Sequence, residues 1–285
     1  MSLLSEKPAL RCFLIAAFSF VFFIPIYSFA AEGGETARII SQIPPPISVI
    51  KPTEEKMEIF ADSYYEFSDI VQGSRNGSWK EVTNLAGVAK GNLRGYFSVS
   101  QLRRFNQRNY TANFGGYLTI KDSYVHFETG FGWDISYIYR LQDTIEYAHR
   151  IYKGLYGQLG YNYRAYPAGD NHLIYPGFIY YFGNNYISAN YGATIIESRG
   201  RGNMGMMKLN LAVNDHLNWW FGGAYGEWLY DIFGLPANDE FGYLFYSGFT
   251  VNINKWVSAR IGYSYGTEKP KFLKRNLMYG LSFKF

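Results

Sequence analysis

From Ile59 onward the chain alternates. Apolar or aromatic residues fall at every second position over short segments, and small or polar residues fill the positions between them. A period of two is that of an extended strand whose successive side chains point to opposite faces. The last ten residues are the clearest case: Leu277, Tyr279, Leu281, Phe283 and Phe285 share one face, against Asn276, Met278, Gly280, Ser282 and Lys284 on the other. The pattern predicts strands over 59–68, 79–89, 93–105, 108–120, 123–133, 143–152, 155–166, 171–182, 186–196, 205–213, 216–226, 241–253, 256–266 and 274–285. That is fourteen strands, with twelve as the lower count. No apolar run in this part of the chain reaches helix-spanning length.

The connectors alternate as well. Lys90-Gly91-Asn92, Lys121-Asp122, Lys153-Gly154, Gly183-Asn184-Asn185, Asn214-Asp215 and Asn254-Lys255 read as tight turns, built from residues that tolerate turn geometry. Between them fall longer connectors at 69–78, 134–142, 167–170, 198–204, 227–240 and 267–273. Asn106-Gln107 is the one short connector where a long one belongs. Short turns on one side and long loops on the other, with an even strand number, describe a transmembrane antiparallel β-barrel of the bacterial outer membrane. In a soluble sheet an edge as apolar as the last strand would be sticky; in a barrel it closes on the first strand and faces lipid.

Parity assigns faces. Leu155, Leu159, Tyr161 and Tyr163 are expected outside against Gln158, Gly160, Asn162 and Arg164, and Ile187, Ala189, Tyr191 and Ala193 outside against Ser188, Asn190, Gly192 and Thr194. Met207, Leu209, Leu211 and Val213 oppose Lys208, Asn210 and Ala212, and Val257 to Tyr265 opposes Ser258 to Ser264 in the same way. An Arg or Lys on the lipid face at the midplane costs about 2–4 kcal/mol, so the charged residues belong inside. The strand 171–182 is apolar on both faces and yields no assignment. The lumen candidates are Arg94, His126, Glu128, Glu146, Arg150, Arg164, Lys208 and Arg260, with Lys284 near the end.

The N-terminus reads differently. Lys7 and Arg11 precede an apolar run from Cys12 to Ile26, and Ser28-Phe29-Ala30 forms a small-x-small cleavage site, so residues 1–30 are expected to be a signal peptide. Residues 31–57, with Gly33-Gly34 and Pro44-Pro45-Pro46, read as a flexible periplasmic lead-in to the barrel at 58–285. Cys12 is the only cysteine, so the mature chain has no disulfide or thiolate metal site. The 27 Tyr, 23 Phe, 6 Trp and 30 Gly suit many strands with interfacial rings. A net charge of +4 excludes nothing but argues for no nucleic-acid partner.

Several catalytic patterns fail. An interfacial lipid-modifying hydrolase calls for His and Ser on one strand face as His-x-Ser, but the histidines read His126-Phe127-Glu128, His149-Arg150-Ile151, His172-Leu173-Ile174 and His216-Leu217-Asn218. His126 with Glu128 is the closest approach to a dyad and reads more simply as a lumen ion pair. Four scattered histidines form no metal cluster, and Asp239-Glu240 alone does not make an acidic protease pair. No cofactor is expected.

The motifs Trp79, Arg103-Arg104-Phe105, Gly160-Tyr161-Asn162-Tyr163-Arg164 with Tyr166, Tyr180-Tyr181-Phe182-Gly183-Asn184, Lys208-Leu209-Asn210-Leu211 and Tyr279-Gly280-Leu281-Ser282-Phe283 resemble the YaiO family of outer-membrane barrels over residues 59–285. The resemblance implies a barrel without established catalysis, linked to polysaccharide export or surface handling, with the polysaccharide or its export apparatus as a partner. The ending through Tyr279, Gly280, Leu281, Phe283 and Phe285 also resembles the signal by which such barrels reach the β-barrel assembly machinery. Sequence therefore leads to an outer-membrane protein among outer-membrane lipids, non-enzymatic, serving as a pore or accessory component. The alternatives are a closed barrel displaying ligand-binding loops and a lipid-modifying hydrolase.

Overall fold

The computed structural model describes residues 57–73, 75–104, 107–135, 138–167, 169–197, 200–227, 241–268 and 272–285. The expected signal peptide, the lead-in up to residue 56, Asn106 and residues 228–240 of the long loop lie outside the described residues. Among the described residues all regular structure is strand: β1 (Glu58–Gln72), β2 (Arg75–Lys90), β3 (Leu93–Arg104), β4 (Gln107–Ile120), β5 (Ser123–Trp133), β6 (Leu141–Tyr152) and β7 (Leu155–Tyr166) form the first half. The second half is β8 (Gly169–Phe182), β9 (Asn185–Ile196), β10 (Gly200–Ala212), β11 (Leu217–Gly226), β12 (Gly242–Asn252), β13 (Val257–Glu268) and β14 (Phe272–Lys284). Each strand pairs antiparallel with its sequence neighbours, and β1 with β14, so the sheet closes into a barrel without an edge.

The closing seam runs in register from Phe60↔Lys284 to Gln72↔Phe272, with Ile59 and Phe285 exchanging backbone hydrogen bonds at its end. The last strand thus pairs with the first as its alternation predicts.

Parity holds around the ring. Ile145, Leu159 and Ile261 are 56%, 56% and 54% exposed on the outer face, while Glu146 of β6 and Gln158 and Arg164 of β7, at the alternate positions, are nearly fully buried inside. An apolar belt that encircles a closed barrel needs lipid rather than water. Rings mark its borders: Trp133, Tyr225 and Tyr243 on the long-loop side, Tyr152, Phe182 and Trp256 on the other. The ambiguous β8 resolves with Ile174, Phe178 and Tyr180 outside and Leu173, Ile179 and Tyr181 inside.

The short turns use left-handed glycines at Gly91, Gly154 and Gly183 (φ 56°, 74° and 62°), as tight hairpins require. Two others are closed by asparagine: Asn214 Oδ1 accepts from His216 N, and Asn254 Oδ1 from Trp256 N, both at 2.8 Å. On the opposite side three expected loops are shorter than their composition suggests. The ladder continues to Gln72 and resumes at Arg75, β10 begins at Gly200, and β13 and β14 run to Glu268 and from Phe272. A strand needs about 9–11 residues to cross the bilayer, and β2 has 16. These ends stand clear of the membrane, where polar residues fit a hydrogen-bonded ladder as well as a loop.

Candidate functional site in the barrel lumen

Fourteen strands about 4.8 Å apart and tilted about 40° enclose a backbone cylinder roughly 28 Å across. Filling it takes large side chains, and a recurring device supplies the reach: an aromatic ring on one strand lies over a glycine on the next and touches the strand beyond. Tyr96 of β3 crosses Gly115 of β4 to reach β5, and Tyr175 of β8 crosses Gly160 of β7 to reach β6. Tyr246 of β12 crosses Gly222 of β11, and Trp220 of β11 lies over Gly248 and Gly262 of β12 and β13. A Cβ at any of these glycines would collide with the ring above it. Abundant Gly and abundant aromatics are thus two halves of one packing rule.

In the middle of the wall these rings organise a polar network. The Tyr96 hydroxyl donates to Glu128 Oε2 at 2.7 Å and lies 2.9 Å from His126 Nε2. With its proton committed to the carboxylate, the phenol oxygen accepts from an Nε2–H imidazole. Tyr117 stacks on the same imidazole at 4.3 Å. Glu128 Oε1 accepts from Gln142 Nε2, and Gln142 Oε1 accepts from Arg164 Nε, each at 2.9 Å. Glu146 accepts from Tyr124 at 2.7 Å and Tyr175 at 3.3 Å. His126, Glu128, Glu146 and Arg164 are 2%, 5%, 5% and 3% exposed, so the network is buried and internally bonded. His126 and Glu128 therefore meet through Tyr96, a bridge that their own spacing does not disclose. Beside them Glu146, Gln158, Asn162, Tyr175 and Asn190 line a cavity of about 40 Å³. Gln158 Oε1 and Asn190 Oδ1 are buried without a hydrogen-bond partner among the described residues, leaving acceptors for a small donor such as water or one hydroxyl group.

The remaining cations rest on rings. Arg94 lies 4.0 Å over Phe60, Arg260 5.3 Å over Tyr64 and Lys208 5.9 Å over Tyr186. Arg150 differs from the sequence expectation: it sits half exposed at the short-turn rim, ion-paired with Asp122, next to a register shift that turns the end of β6 out of the lumen wall. Lys284 is likewise at that rim, 2.8 Å from Glu58. Two interior cations escaped the sequence reading. Arg104 and Lys274 are 1% and 3% exposed and flank the Trp79 ring at 4.5 and 5.4 Å. Both lie where strands were expected to give way to loop, although their parity with Leu102 and Asn276 would have placed them inside.

Toward the long-loop side an apolar cluster joins Ile70, Trp79 and Phe272 to Leu244, Tyr246, Met204 and Met206. Its members run from β2 through β1, β14, β12 and β11 to β10, six strand steps out of the seven that separate opposite walls. The intervening β13 contributes Gly262 and Gly266 on its inner face, which leaves room for the cluster to bridge. A second cluster at the other end gathers Tyr124, Tyr156, Ile179, Tyr181 and Tyr186 from β5 to β9.

On the outer face Ser123 Oγ lies 2.7 Å from His149 Nδ1, with the Tyr147 hydroxyl at 3.2 Å. The pair spans β5 and β6 and so has no linear signature. Its serine sits at Nδ1, whereas in a catalytic triad the serine faces Nε2 and an acid holds Nδ1. Among the described residues no group of three or more His, Cys, Asp or Glu could hold a metal. The residues of the terminal signal, Tyr279, Leu281 and Phe283, lie on the lipid side, with Gly280 under Tyr64 inside and Phe285 at the seam.

No family model and no curated protein matches the chain. Among solved structures it is similar to the translocator domain of autotransporter NalP from Neisseria meningitidis (11% identity, 87% of this chain and 94% of that one, TM-score 0.45). It is also similar to an anion-selective porin from Comamonas acidovorans (11%, 81% and 100%, TM-score 0.43) and to OmpT, an outer membrane protein of Vibrio cholerae (12%, 82% and 100%, TM-score 0.44). The likeness is one of architecture alone.

Proposed function

We propose that this chain is a non-enzymatic outer-membrane barrel whose lumen is closed by its own wall, acting as an envelope or surface component rather than as a general diffusion pore. The apolar cluster from β2 to β10 carries the reading, because its members line six strand steps of the inner wall on the long-loop side and are nearly fully buried. The bonded network around Glu128 and Glu146 supports it from below. A role as an accessory in the export or surface handling of polysaccharide, with assembly through the terminal signal, rests on the motif resemblance. Liposome swelling tests the closed state. Vesicles carrying the folded protein should swell in a small neutral sugar no faster than protein-free vesicles, and swelling at a porin-like rate would overturn the proposal.

A second reading, a gated pore, draws on the cavity beside Gln158 and Asn190. Side chains of the wall line that cavity, and its buried acceptors suit hydroxyl groups in transit.

A further inference from the structure

Charge on the outer rim of the long-loop side is sorted by sector. Lys80↔Arg103 and Arg103↔Arg108 are direct cross-strand partners, so three cations stand side by side on the outer face of β2, β3 and β4. Residues so paired have Cβ atoms about 4.5–5.5 Å apart, and like charges in that relation destabilise a sheet. Around the seam the same rim carries Arg275, which is 3.8 Å from Asp69. Among the described residues, four cations and one acid give this sector +3. From β6 to β11 the corresponding outer positions among the described residues are Asp143, Asp170, Glu197, Arg201 and Glu227, one cation and four acids, or −3. Two of those acids accept from the backbone of the neighbouring strand, Glu197 from Asp170 N and Glu227 from Asn203 N.

The level of the cationic row fits a lipid headgroup. Phe67, the partner of Lys80, is 37% exposed, and Lys80 Nζ lies 5.8 Å over its ring. One step toward the membrane from Arg108, Tyr110 stacks on Trp133 at 5.9 Å and 10° within the ring border. Below lie Phe114 and Leu118, 51% and 40% exposed. Fixed cations above an apolar wall match a molecule that carries phosphates above several acyl chains.

We propose that Lys80, Arg103 and Arg108, with Arg275 beside them, form a binding site for the phosphorylated glycolipid of the outer leaflet, its phosphates bridging the cationic row and its acyl chains lying on the wall beneath. The site rests on the outer-membrane reading but not on whether the lumen is closed. The protein should therefore sit in the leaflet with one preferred glycolipid-facing side.

The test uses full-length protein folded in detergent micelles and titrated with bisphosphorylated lipid A, dephosphorylated lipid A and inorganic phosphate. Wild type should bind the bisphosphorylated lipid at least tenfold more tightly than the dephosphorylated one, and this preference should weaken in salt. At about 1 kcal/mol per basic residue near an anionic surface, the K80Q/R103Q/R108Q variant should lose about 100-fold in affinity, and R201Q on the acidic sector should lose none. Equal binding by wild type and the triple variant, equal binding of the two lipids, or competition by inorganic phosphate alone would overturn the site. Heat-modifiable mobility of each protein reports folding separately. A wild type that lacks it would overturn the membrane-barrel reading and this site together.

Discussion

The hydroxyl of Tyr96 donates a 2.7 Å hydrogen bond to Glu128, and it gets there by crossing β4 above Gly115, where no side chain stands in the way. Three strands are thereby tied by one ring, and a buried carboxylate gains a donor that its own strand cannot provide.

Gly115→Val should therefore break the Tyr96 to Glu128 bond without touching either residue. Leaving a buried acceptor short of a donor costs about 1–3 kcal/mol. Urea unfolding of the folded barrel should show this loss. Tyr96→Phe combined with Gly115→Val should cost less than the two single changes added together, because both remove the same bond. Additive losses would show that the glycine serves something else.

Leu277 is 45% exposed near the middle of β14, on the lipid face. Leu277→Arg should destabilise folding into bilayers by about 2–4 kcal/mol, whereas Leu277→Phe should be nearly neutral. Equal tolerance of the two in a bilayer-folding titration would place this face away from lipid.

How much of this was readable beforehand follows from what each residue type reveals. Within the span, charged and polar residues declare their face, so His126, Glu128, Glu146 and Arg164 follow from parity alone. Tyrosine does not: Tyr147 and Tyr161 face lipid while Tyr96, Tyr124 and Tyr175 hold the interior network. A phenol suits either side of the wall, and only the glycine beneath it distinguishes them. For the same reason β8, apolar on both faces, resolved only with its neighbours in place. Strand existence was legible throughout. Strand ends were not, because beyond the bilayer a polar ladder and a polar loop have the same composition, and Arg104 and Lys274 were overlooked there. The inner-wall cluster around Trp79 passes the β1–β14 seam and so depends on closure, which no local pattern encodes.

The end of the chain bonds to the beginning, with Ile59 and Phe285 exchanging backbone hydrogen bonds at 3.1 and 2.8 Å. Deleting Phe283 to Phe285 should shorten the seam and remove the terminal signal. Fractionated cells should show far less heat-modifiable protein in the outer membrane, with unfolded chain accumulating in the periplasm. Undiminished assembly would remove these residues from the signal.

The Ser123 and His149 pair provides a direct check on the non-enzymatic reading. Purified protein should release no acyl chains from outer-membrane lipids above the Ser123→Ala background. Release that disappears in Ser123→Ala would make the barrel an interfacial hydrolase.

The closed lumen is tested most directly by single-channel recording in planar bilayers. Wild type should give no steady conductance, and Trp79→Ala with Tyr246→Ala, shown to be folded by heat-modifiable mobility, should open one by removing two large buried rings of the inner cluster. A stable open channel in wild type, unchanged by these substitutions, would contradict the account.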